Sequence, residues 1–162
     1  MGRTGTTRRR ALILTGAAAT ALLTGCSTDE PEGRRTAGSA PDPARAEAAL
    51  RRRLAATSGA LRDQYDAVIR QHPALAGQLT ALRAAVAEHV TALGGTTRVA
   101  PPVPVPADAG TAVKALVAAE RRTSDAHTAA LVDAEPELAR LLASVAAAGA
   151  AHAYLLTKGG AR

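Results

Sequence analysis

The chain has 162 residues, with two tyrosines and neither Phe nor Trp, and a formal net charge of +6. That length leaves room for one domain besides a targeting segment and a linker, and the alanine-rich, aromatic-poor composition favours helix. The basic balance does not point to nucleic acid. Arg3, Arg8, Arg9 and Arg10 all precede residue 26, so 20 less 4 leaves 16 basic residues against the same 14 acidic ones, and the aromatics on which single-stranded bases stack are missing.

Residues 5–26, "GTTRRRALILTGAAATALLTGC", carry the parts of an export signal in order: basic residues, an apolar run from Ala11 to about Leu23, and a small-residue cleavage site. The run is too short and alanine-rich for a membrane span. Its end, "LLTGC", resembles the bacterial lipobox. That resemblance implies a signal peptide over residues 1–25, acylation of Cys26 with palmitate-type chains, and a mature protein held on the extracytoplasmic face of the cell membrane. Two or three acyl chains suffice for stable anchoring, at about 0.8 kcal/mol per buried methylene. Cys26 is the only cysteine, so no intrachain disulfide forms. "TRRRAL" also partly resembles a twin-arginine signal, with Ala11 where phenylalanine is usual, and the export route stays open. Residues 26–41, polar and rich in Gly, Pro and mixed charge, read as a flexible tether.

From residue 42 to 160 the pattern is helical throughout. Asp42 and Pro43 open a first helix with a stripe through Leu50, Leu54, Leu61, Tyr65 and Val68. Pro73 starts a second, with Leu75, Leu79, Leu82, Val86 and Leu93, closed by Gly94 and Gly95. A third begins near Asp108 with Val113, Leu116, Val117 and Leu131, and Pro136 starts a fourth with Leu138, Leu142, Val145 and Leu156. No segment alternates with period two, so the fold expected is all-α, a four-helix bundle. The connection "GGTTRVAPPVPVPAD" exceeds the usual bundle loop. Ten residues of polyproline conformation reach about 30 Å, which is also about the length of a 20-residue helix. The segment is therefore expected to cross the whole bundle between the second and third helices, in the ferritin-like arrangement, rather than close an up-down-up-down bundle.

Glu120, Ser124 and His127 fall on the apolar face of the third helix, His89 on that of the second and His152 on that of the fourth. Ionisable groups in such a core must be paired or metal-bound. With a crossover, helix midpoints set Glu120 and His152 within about 6 Å of one level and pair His89 with His127 about 10 Å lower, whereas plain up-down order puts His89, Glu120 and His152 on one level within about 8 Å. Tyr65 and Tyr154 read as core fillers with hydroxyls at the edge, His72 as a cap or solvent-exposed, and the arginines of "RRR" (51–53) and "ERR" (120–122) as solvated faces that could also meet anionic headgroups. No Ser-His-Asp order, phosphate loop or pair of catalytic carboxylates can be argued from the spacing.

The crossover, the glutamate of "LVAAERR" and the histidine of "AAGAAHAYLL" resemble the actinobacterial ferritin-like domain family, lipoproteins among them, across most of residues 45–157. Di-iron members of the ferritin-like class carry a glutamate on each of two helices and Glu-x-x-His on each of the others. By that resemblance Glu120 matches the lone glutamate of the third helix, and His152 and His89 match the two histidines. The positions three residues before those histidines hold Gly149 and Val86, and the first helix offers only Gln64, Tyr65 or Asp66. The resemblance thus implies a degenerate bundle without a standard di-iron centre or ferroxidase activity, hence no enzyme. The function expected is non-catalytic binding or scaffolding at the membrane, with lipid through Cys26 and a protein as partners and no cofactor. The alternative is an envelope protein holding zinc, copper or iron on Glu120, His152, His89 and His127.

Overall fold

Asp42 caps the first helix: its Oδ1 accepts from the Ala44 amide at 3.1 Å, and Pro43, with no amide hydrogen to lose, stands at the first helical position. The computed structural model describes residues 42–96 and 101–159. The readings of the signal (1–25), Cys26 and the tether to residue 41 lie outside the described residues. Four helices follow in order: α1 (Pro43–Gln71), α2 (Ala76–Ala92), α3 (Ala109–Ala129) and α4 (Pro136–Gly159). No strand occurs among the described residues.

Local chemistry fixes the ends. Pro73 cannot donate to the α1 ladder, so the chain turns through a short 3-10 segment, Pro73–Leu75. The second α-helix therefore starts at Ala76, three residues later than the proline signal implied. It ends in a Schellman turn: the Gly95 amide reaches the Val90 carbonyl, the Gly94 amide reaches that of Thr91, and Gly94 takes φ 75°. A Cβ on Gly95 would sit 2.8 Å from Val90 Cγ1 and 3.0 Å from the Ala55 Cβ, so the turn lies hard against α1. Asp108 opens α3 by accepting from the Thr111 amide and hydroxyl, both at 2.7 Å, and these bonds hold its carboxyl below the ordinary range.

Side-chain pairs give the helix directions. Between α1 and α3, Ser58 meets His127 and Tyr65 meets Glu120, so these helices run antiparallel. Between α1 and α2, Gly95 lies by Ala55 and Arg83 bonds Asp66 at 2.9 and 3.0 Å, again antiparallel. Two helices each antiparallel to α1 are parallel to one another, so the chain must return along the bundle between α2 and α3. Its two ends agree. Gly95 packs at the Ala55 level of α1, whereas the carbonyl of Pro106 meets His72 Nε2 at 2.9 Å at the far end. The bundle is thus two hairpins, α1–α2 and α3–α4, with α1 packed on α3, α2 on α4, and a lengthwise Pro-rich crossover of the ferritin-like kind.

The core is built from the expected stripes. Leu50, Leu54, Leu61, Tyr65 and Val68 are buried, as are Leu79, Val86, Leu93, Val113, Leu116, Leu138, Leu142, Val145 and Leu156. Leu75, Leu82, Val117 and Leu131 are only half-buried. The apolar residues form two clusters. One gathers Leu61, Tyr65, Val68, Leu79, Val86, Leu116 and Leu156; the other gathers Leu50, Leu54, Leu93, Ala130, Leu138 and Leu142. Apart from Arg62, which is buried between Leu61 and Tyr65 and paired with Asp63, the polar core residues fall between these two sets along every helix.

Candidate functional site

That intervening layer contains Ser58 from α1, His89 from α2, Glu120, Ser124 and His127 from α3, and His152 from α4. All but His89 are buried, Glu120 and His127 almost completely at 1% and 0% exposure. Glu120 is the centre. Its Oε1 accepts from the Tyr65 hydroxyl at 2.6 Å, and His152 Nδ1 lies 3.1 Å from the same oxygen. Its Oε2 faces Gly149, where a Cβ would stand 3.4 Å from that oxygen and 3.3 Å from the Ser124 Cβ. Absence of a side chain at 149 lets α3 and α4 close on the carboxylate, and no second carboxylate could enter there without moving Glu120. Ser124 donates instead to the Ala146 carbonyl at 2.8 Å, a further tie between the same two helices.

Two expectations about tyrosine are corrected here. Tyr65 is fully buried and its hydroxyl points inward to Glu120, not to the bundle edge. Burial, with the Glu120 charge and hydrogen bond adding, drives its phenol far above the ordinary range, so it stays a donor. Tyr154 is no core filler: it is 61% exposed, with Lys158 Nζ 5.6 Å from its ring centroid. His72 does end α1, as read, and also carries the end of the crossover. Arg52, Arg53, Arg121 and Arg122 are exposed, as expected of solvated faces, while Arg51 is half-buried and pairs with Glu47 at 2.9 Å.

The histidines divide otherwise than the midpoints of a crossover bundle implied, and in the grouping that plain up-down order gives. His89 lies beside His152, the rings nearly parallel with centroids 6.0 Å apart. His127 sits apart, its Nε2 3.3 Å from Ser58 Oγ. The Nδ1 of His127 makes no hydrogen bond and is sealed from solvent, with only the Thr123 and Leu54 carbonyls near enough to favour a charge. Burial pulls the pKa of both His89 and His127 below 6.5, for His89 with a smaller push from His152. Both are therefore half-protonated at lower pH in the fold than in the unfolded chain. Below about pH 6.5 the unfolded chain binds more protons, so stability contributed by these residues is complete above that pH and drains away beneath it. Thermal midpoints measured from pH 7.5 to 5 should fall with acid, and His127→Gln should flatten part of that slope.

The chemistry of a metal centre is poorly served. The structure brings Glu120, His152 and His89 to one region and leaves His127 with Ser58. Among the described residues no group of three or more His, Cys, Asp or Glu is placed to hold a metal ion. A di-iron centre needs several bridging and terminal carboxylates. This layer has one, already engaged by Tyr65 and His152, with Gly149 and Val86 where glutamates would be needed. The residues present do not fit such a centre. No protein-family model, curated protein or solved structure matches the chain.

Proposed function

We propose that this chain is a lipoprotein anchored through Cys26 on the extracytoplasmic face of the cell membrane, whose ferritin-like bundle is a non-catalytic binding or scaffolding module. The observation that carries the non-catalytic part is the closure of the polar layer. Its single carboxylate is hydrogen-bonded by Tyr65 and His152 and walled by Gly149, so Glu120 resembles an inherited, internally satisfied group more than a reacting one. The anchoring part rests on the basic residues, apolar run and "LLTGC" in their proper order. Cys26→Ser should move the protein from the membrane to the soluble fraction, and continued detergent-dependent retention would refute the anchor.

A second reading, an envelope metal protein, draws on one observation: His89 joins His152 beside Glu120. It requires His152 to turn away from Glu120 Oε1 before both could meet one ion. It predicts a thermal shift with one particular divalent metal that His152→Ala abolishes.

A further inference from the structure

Exposed apolar surface is concentrated on one helix. Of the three large hydrophobic side chains that are exposed among the described residues, Tyr154 (61%) and Leu155 (53%) both lie on α4. Between Arg140 and Lys158 that helix carries no Asp, Glu, Lys or Arg, and its one histidine, His152, is buried. It is long and apolar enough to pass for a membrane span by composition, yet only 39% of the apolar stretch is buried in the bundle. The exposed residues Arg140, Ser144, Ala147, Ala151, Tyr154 and Lys158 recur at alternating steps of four and three. That is the spacing of a helix that pairs lengthwise with another helix.

We infer that this face of α4 is a self-association surface, occupied by α4 of a second copy running antiparallel. Charge decides the occupant and its direction. Glu135, just before α4, and Glu137, which pairs with Arg140 on the same helix, leave the start of the face with a net negative charge, and the face ends with Lys158. Two copies crossing antiparallel at Ala147 bring each Lys158 near Glu137 of the second copy, and each Arg140 near Tyr154 of the second copy. A parallel pair would set Lys158 on Lys158 and Arg140 on Arg140, which is repulsive. Ser144, Ala147 and Ala151 are small enough for the two backbones to approach closely, while Tyr154 and Leu155 supply apolar area to bury. The test rests on the proposed anchor, since acylation of Cys26 leaves the parent no free thiol, but its readout, cross-linking at position 147, is separate from release of the protein from membranes.

The test is disulfide cross-linking of the full chain in its own membranes. Under mild oxidant Ala147→Cys should give a band of twice the mass, whereas the parent and Arg121→Cys, on the exposed face of α3, should not. Lys158→Glu should lower the dimer fraction several-fold in the Ala147→Cys chain, and adding Glu137→Lys should restore it. No more cross-linking at Ala147 than at Arg121, or a charge-swapped chain as weak as the single variant, overturns the antiparallel pair. So does an Ala147→Cys chain that stays single while membranes, but not detergent, shield it from a water-soluble maleimide. That outcome would assign the face to the bilayer.

Discussion

Leu142→Asp should leave this protein unfolded. Leu142 is completely buried in the cluster of Leu50, Leu54, Leu93, Ala130 and Leu138. The substitution forgoes about 1.5–3 kcal/mol of apolar burial. It also places a carboxylate where no donor is within reach, and an uncompensated buried charge costs a further 3–5 kcal/mol or so. A domain of this size is stable by about 5–15 kcal/mol, and one with no large aromatic residue except Tyr65 in its core belongs toward the lower end of that span. Far-ultraviolet circular dichroism should show the helical signal lost at 37 °C. A variant that stayed fully helical and heat-stable would contradict the bundle as described. Leu82→Asp should be milder, because Leu82 is only half-buried.

Tyr65→Phe should give the second largest loss without any change of shape. The ring remains, but Glu120 loses its shortest hydrogen bond, 2.6 Å from the phenol, in a place water does not reach. Hydrogen bonds to charged groups contribute about 1.5–3 kcal/mol. For a domain slightly above one hundred residues that is a fall in Tm on the order of 10 °C. Tyr154→Phe, on the exposed face of α4, should leave the melt almost unchanged and serves as the control. Combining Tyr65→Phe with Glu120→Gln should cost less than the sum of the two, since each removes the same bond. Additive losses would mean that Tyr65 and Glu120 act separately.

The helices, their caps and the crossover were legible because each rests on short-range chemistry. Asp42–Pro43, Gly94–Gly95, Asp108 and Pro136 mark ends wherever they occur, and a loop with that many prolines is stiff enough to be measured against a helix. The Tyr65–Glu120 bond was not legible, since it joins residues 55 apart in the chain and depends on how α1 and α3 are rotated about their axes. Tyrosine on an apolar stripe announces burial, not where its hydroxyl points. The level of His89 failed for a related reason. Midpoints align only helices of equal length, and α1 spans 29 residues against 17 in α2. Their register is set by contacts such as Arg83 with Asp66. Gly149 stands out only through the resemblance, as the position three residues before His152, and its place against Glu120 is seen only in the packed α3–α4 pair. An exposed Tyr154 was missed because an alanine-rich helix has no polar face to show which side is out.

The account turns on Glu120 being satisfied by protein groups alone. Metal analysis of the untagged protein, beside Glu120→Ala and His152→Ala, tests this most directly. The account predicts far less than one metal per chain in all three. Near-stoichiometric metal in the parent, lost in both variants, would contradict it and make the polar layer a functional metal site.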